Sequence, residues 1–192
     1  MKIGAVLLAA GGSSRFGRPK QLLTFAGETL VRRATRVATA ICRPVIVVVG
    51  REEKPIVAEL RDLEVKIVPN DDWEKGIGTS LRRGIAALPG CDGVVLLSCD
   101  QPFVDQTVIR RLIDAHQETA RPIVASAYAN TLGVPAFFAS SFLEKIRALP
   151  DREGAKSIIT AHPSQVGTIE FPLGAIDIDT AADYEHAKEL AR

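Results

Sequence analysis

The sequence predicts an α/β fold with a mostly parallel central sheet and helices on both faces. Three observations carry this. Ile3–Leu8, Val45–Val49 and Val94–Cys99 are short, nearly unbroken apolar runs, the pattern of strands buried on both faces. Between such runs lie segments with apolar residues at three- and four-residue spacing, as in Leu30, Val31, Ala34, Val37, Ala38 and Ile41. Strand and helix signals alternate along the first half, the order that builds a parallel sheet from crossover units.

Ile3–Leu8 is the first expected strand and Thr29–Cys42 the first helix, broken by Pro44. Val45–Val49 ends at Gly50 as a buried strand, Pro55–Arg61 is a short helix, and Val65–Val68 is a strand closed by Pro69. Ser80–Leu88 is a helix stopped by Pro89-Gly90. Val94–Cys99 is a strand running into Asp100, and Val104–Gln117 is helical with Asp105 as its expected cap. The second half changes character. Ile123–Tyr128 and Pro135–Ala139 are strands of a hairpin-like excursion around Asn130-Thr131-Leu132-Gly133. Short helices follow at Phe142–Leu149 and Glu153–Ala161, strands at Gly167–Phe171 and Ala175–Ile178, and a closing helix at Ala181–Leu190. With no repeat and no long linker, the expectation is one domain over residues 1–192, its two halves meeting near residue 105 in a shared sheet.

With 46% hydrophobic residues the chain can fill a sizeable core, and at 5% aromatic content that core is aliphatic. The 24 basic and 23 acidic residues leave a net charge of +1, which argues against a nucleic-acid binder with a basic face. Cys42, Cys91 and Cys99 are widely spaced with no metal-ligand pattern, and are expected to be reduced, packed thiols. No signal-like segment precedes the first strand and no apolar run approaches the roughly 20 residues of a membrane span. A cytoplasmic protein without membrane association is expected.

The most informative stretch is Leu7 to Lys20, Leu-Leu-Ala-Ala-Gly-Gly-Ser-Ser-Arg-Phe-Gly-Arg-Pro-Lys, directly after the first strand. Small residues let backbone approach a ligand closely, and successive N–H groups form an anion-binding nest. Arg15 and Lys20 add two fixed positive charges. Together these suit a polyphosphate. The spacing is neither that of a P-loop, because Arg18-Pro19 stand where Lys and Ser/Thr belong, nor that of a G-x-G-x-x-G turn.

Leu-Ala-Ala-Gly-Gly-x-x-x-Arg-x-Gly-x-x-Lys resembles the signature of nucleotidyltransferases, and within them the molybdenum-cofactor guanylyl- and cytidylyltransferases. The resemblance implies a three-layer Rossmann-like nucleotidyltransferase fold with a nucleotide half of about 1–105 and an acceptor half of about 106–192. It implies nucleotide contacts from Leu8, Ala9, Ala10, Gly11, Gly12, Ser13, Ser14, Arg15 and Lys20, with Arg15, Lys20 and Asp100 catalytic.

Open α/β sheets bind ligands at the carboxyl ends of their strands, where the glycine loop, Asp100 and Asp177-Ile178-Asp179-Thr180 are all expected to lie. A carboxylate there suits Mg²⁺, which takes one or two carboxylates plus phosphate oxygens and water. On residue type alone Asp100 is equally a helix cap. Ser-Cys-Asp-Gln-Pro is similar to the family's metal-binding segment, and the resemblance makes Asp100 a ligand. Asp-Ile-Asp-Thr is similar to the family's C-terminal Asp/Asn-x-Asp/Asn-Thr-Pro motif, with Ala181 in place of Pro. It implies Asp179 as second ligand, or Asp177, with Thr180 alternatively a helix cap.

Gly76, Gly78 and Ser80 open a helix whose free N–H groups could meet a ligand. The matching family segment implies Gly78 and Ser80 at the base, the alternative being a plain N-cap by Thr79 or Ser80. Trp73 is read as a packing residue on the loop in preference to a stacking platform. Gln101, Pro102, Gly133 and Pro135 match segments that the resemblance places near a pterin-bearing acceptor, although Val134 stands where His is common. Asp151 to Lys156 is similar to Gly-Asp-x-Gly-Ala-Arg, with Pro150 replacing the leading Gly, and is as well read as a turn. His116, His162 and His186 are expected on the surface.

The implied reaction is CMP transfer from CTP to molybdopterin with loss of pyrophosphate, aided by Mg²⁺. Alternatives are a guanylyl- or other NTP transferase on another phosphorylated acceptor, or a non-catalytic nucleotide-binding accessory protein. A molybdenum hydroxylase or its chaperone is the implied protein partner.

Overall fold

The computed structural model of the chain describes residues 1–12 and 16–191. A seven-stranded sheet organises it, in the order β5-β4-β1-β6-β8-β7-β9. The strands are β1 (Ile3–Ala9), β4 (Val45–Val49), β5 (Lys66–Pro69), β6 (Gly93–Ser98), β7 (Ile123–Tyr128), β8 (Thr131–Ala139) and β9 (Val166–Glu170). β2 (Thr24–Phe25) and β3 (Glu28–Thr29) form a separate small hairpin. Strands β5, β4, β1 and β6 run parallel. β8 is antiparallel to both β6 and β7, and β9 returns parallel to β7. This is the mostly parallel, helix-flanked fold that the sequence predicts.

Side-chain alternation divides the core into two layers. Ala5, Leu7, Val47 and Val95 face α1 (Leu30–Thr39), α2 (Glu53–Leu60) and α4 (Gln106–Thr119). Val6, Val48, Val94 and Leu96 face α3 (Ile77–Ala87), α5 (Leu143–Arg147) and α6 (Ala155–Ala161). Both faces are covered, which is why the strands lack polar alternation. A third cluster seats α7 (Ala181–Leu190) on the β2–β3 hairpin through Leu23, Phe25, Leu30, Ile178 and Ala187.

Three expectations are corrected. Ala175–Ile178 is not a strand. Pro172–Ala175 forms a short 3-10 turn, after which the Ile178 N–H donates to the Asp100 carbonyl at 2.9 Å. The β7–β8 turn is tighter than Asn130 to Gly133, because Tyr128 pairs with Thr131 and leaves Ala129 and Asn130 as the turn, both at positive φ. His116 and His162 are half-buried, His116 lying on the Phe137 ring with centroids 4.4 Å apart and His162 edge-on to Phe142, while His186 is exposed as expected.

Among the described residues no helix is long and apolar enough to cross a membrane. Cys42 and Cys99 are buried and free, and burial pushes both thiols up to about 12, as expected of packed cysteines.

Candidate active site

β1 and β6 are neighbours in register, Leu8 beside Ser98. The chain leaves β1 to build one side of the sheet and returns as β6 on the other, so their carboxyl ends flank the switch point where such sheets bind ligands. A cavity of about 210 Å³ opens there, lined by Leu8, Ala10, Gly11, Lys20, Trp73 and Ser80 among others, with Ser98 and Asp100 at the β6 end.

Gln21 anchors the loop from the inside. It is buried, and its Nε2 donates to the carbonyls of Ala9 at 3.1 Å and Gly11 at 2.6 Å. Gly12 is pressed against Trp73, where a Cβ would stand 2.6 Å from Cζ3. Ser13, Ser14 and Arg15 lie outside the described residues. The sequence reading missed Gln21, and it favoured packing on the loop for Trp73 over a stacking platform. Trp73 packs on the loop and also lines the cavity.

Lys20, Asp100 and Asp179 meet at one point. Lys20 Nζ donates to Asp100 Oδ2 at 2.6 Å and to Asp179 Oδ1 at 2.8 Å. Burial opposes the Lys20 charge, but the Asp100 ion pair and hydrogen bond, reinforced by Asp179, outweigh it and raise the pKa above its ordinary value. Ser98 Oγ donates to Asp100 Oδ1. The Ile178-to-Asp100 backbone bond brings residues of the C-terminal segment beside the β6 exit. Thr180 caps α7 in a capping box with Asp183, whose Oδ2 also accepts from the Asp179 N–H at 3.2 Å. Capping by Thr180 and a metal-facing Asp179 are therefore compatible, and Asp183 is a further residue that fixes the segment.

Asp177 stands near the same group. Burial, then repulsion from Asp100 and Asp179, pushes its carboxyl up to about 6. Among the described residues no three side chains form a metal-holding group of His, Cys, Asp and Glu. Two carboxylate oxygens that grip one ammonium nevertheless suit a hard cation that brings further oxygen ligands on phosphate.

Several expected site residues are engaged within the fold. Gly78 N–H donates to the Asp151 carbonyl at 2.8 Å, and a Cβ on Gly78 would lie 2.0 Å from the Pro150 carbonyl oxygen. Gly78 is therefore packed against residues 150–153, with its N–H already engaged. Neither Thr79 nor Ser80 caps α3. The helix starts at Ile77, three residues before the expected Ser80, with Gly76 as its N-cap. Pro102, Gly133 and Pro135 are buried, the Pro102 carbonyl accepting from Arg33 Nε and the Pro135 carbonyl from Ser126 Oγ. All three therefore lie within the packed interior of the fold. Gln101 is buried, and its Nε2 ties the Val134 and Gly174 carbonyls together at 3.0 Å each. A larger cavity, about 730 Å³, lies beyond them, lined by Tyr128, Asn130, Thr131, Lys156 and Glu170 among others.

A glycine loop and converging carboxylates at the switch point of a parallel sheet define the nucleotidyltransferase class of enzyme. The chain belongs to the MobA-like NTP transferase domain family, which matches residues 5–166. It is 35% identical over 117 residues to nicotine blue oxidoreductase of Paenarthrobacter nicotinovorans, covering 60% of this chain and 57% of that relative's length. It is 28% identical to a probable molybdenum cofactor guanylyltransferase of Bacillus cytotoxicus, covering 79% of this chain and 75% of that one. The crystal structure of Rv0371c in complex with manganese, from Mycobacterium tuberculosis, matches with a TM-score of 0.77 and 28% identity over 98% of this chain and 99% of that chain.

Proposed function

We propose that the protein transfers a nucleotidyl group from CTP to the phosphate of a molybdopterin-type acceptor. An acceptor phosphate oxygen attacks the α-phosphorus in line, the α–β bridging bond breaks, and pyrophosphate leaves with that electron pair. The acceptor phosphate is already ionised at neutral pH and needs no general base. Positioning and charge neutralisation supply the catalysis.

The observation that carries this reading is Lys20 held between Asp100 and Asp179 at the mouth of a cavity beneath a glycine loop. The loop backbone at Gly11 and Gly12 approaches the phosphates. Arg15 and Lys20 neutralise negative charge as it develops on the leaving group. Asp100 and Asp179 would hold a divalent cation, Mg²⁺ or Mn²⁺, which when bound supplies further neutralisation of phosphate oxygens. Ser80, Ile77 and Trp73 also line the cavity and would face the base. The acceptor fits the larger cavity, where Lys156 offers a cation and Tyr128 stands near Asp177 and Asp100.

CTP is favoured by the Asp100-Gln101-Pro102 segment, which resembles the cytidylyl branch. GTP is favoured by the guanylyltransferase among the relatives. The oxidoreductase name belongs to a relative matched over 57% of its length, and its activity stays with that protein. Pyrophosphate release with molybdopterin, measured as kcat/KM for CTP and GTP in competition, decides between the bases. A higher value for CTP is expected. A higher value for GTP would overturn the cytidylyl reading, and no release with either would overturn transfer to this acceptor.

A further inference from the structure

Asn70 follows β5 and is 1% exposed, although the reaction gives it no role. Its backbone N–H continues the β4 edge by donating to the Val49 carbonyl at 2.8 Å. Its side chain links two segments of the cavity wall. Oδ1 accepts from the Asp72 N–H at 3.1 Å, while Nδ2 donates to Thr79 Oγ1 and Ser80 Oγ, both at 2.9 Å. The Asp72 N–H can only donate, so it fixes which end of the amide is oxygen, and the two hydroxyls must then accept from Nδ2.

The consequence differs for the two hydroxyls. Thr79 passes its own proton to the Gly76 carbonyl at 2.7 Å. Ser80 Oγ has no protein acceptor for its proton among the described residues, is nearly buried, and lines the cavity. We infer that Asn70 is a specificity-positioning residue that presents Ser80 to the nucleotide as a hydrogen-bond donor, selecting a hydrogen-bond acceptor on the edge of the nucleobase. The cytosine edge offers such acceptors at O2 and N3. This inference rests on the nucleotide reading of the cavity.

The chain's single Trp, Trp73, lines the same cavity, so its fluorescence reports CTP binding in the presence of Mg²⁺. Asn70→Asp still accepts from the Asp72 N–H but turns Ser80 Oγ–H inward to the new carboxylate. It is expected to weaken CTP binding about tenfold, the worth of one hydrogen bond, and to have little further effect in a Ser80→Ala background. Asn70→Ala, which removes the donor without adding charge, gives a second route if the carboxylate variant does not fold. It is expected to weaken binding about threefold, again only while Ser80 is present. Equal losses in both backgrounds, or unchanged CTP affinity in folded Asn70 variants while Ser80→Ala binds weakly, would overturn the inference and leave the nucleotide site standing. Unchanged affinity in Ser80→Ala itself would overturn it as well. Absence of any saturable CTP binding to the wild-type protein would instead remove the nucleotide reading on which it rests.

Discussion

Asp177, Asp179 and Asp100 place three carboxylates around one ammonium, and the charges do not balance. Lys20 is bonded to Asp100 and Asp179, and burial, then repulsion from both carboxylates, pushes the Asp177 carboxyl up to about 6. The linkage has a definite sign. A carboxyl with a raised folded pKa costs nothing below its ordinary value, where folded and unfolded chains are both protonated. Stability is lost as pH rises from about 4 through about 6, because the unfolded chain ionises first. Asp177→Asn removes that loss. Its melting temperature relative to wild type, measured in chelator, is expected to be more favourable at pH about 7.5 than at pH about 4. The same difference at both values would show that the Asp177 carboxyl is not raised. The sequence put Lys20, Asp100 and Asp179 in the site, but it gave Lys20 to phosphate and the carboxylates to a metal. Their mutual contact depends on the Ile178-to-Asp100 backbone bond, which joins residues 78 apart in the chain and has no local signature.

At the scale of elements, helix α3 shows how a motif residue acquires a different role. The glycines of Gly76-Ile77-Gly78 suggest a ligand at a helix start, but in the structure residues 150–153 pack on that turn. Gly78→Ala brings a methyl against the Pro150 carbonyl and is expected to destabilise the protein by about 1–3 kcal/mol, as overpacking does. Chemical denaturation checks this. Wild-type stability combined with lost CTP affinity would return Gly78 to the base site. Elements with a strong pattern were legible for a local reason: the unbroken apolar run Val45–Val49 and the amphipathic helix Leu30–Thr39 carry their pattern and their boundary residues in the same stretch. Ala175–Ile178 has strand-like residues and yet joins neither outer strand of the sheet, β5 or β9. Ile178 is buried, and Ile176 partly buried, in the cluster around the β2–β3 hairpin instead. Asn70 and Gln21 were illegible because a buried amide carries no sequence pattern. Apart from the Asp72 N–H, the side-chain partners of both lie nine or more residues away.

Over the whole molecule, the sheet brings the glycine loop, the β6 exit and the C-terminal segment to one edge. Each contributes a charge or a backbone group that is incomplete alone. Asp100 offers a carboxylate, the loop offers approach to phosphate, and the segment before α7 supplies Asp179. The central claim is that this edge takes a nucleoside triphosphate together with a divalent cation. Paramagnetic resonance of Mn²⁺, titrated with and without CTP against wild type and Asp100→Asn, tests it most directly. Wild type is expected to bind Mn²⁺ about tenfold more tightly when CTP is present, a coupling of about 1.4 kcal/mol. Asp100→Asn is expected to lose that coupling while its melting temperature stays close to wild type. Equal coupling in the two proteins would contradict the assignment of Asp100 and the shared site with it.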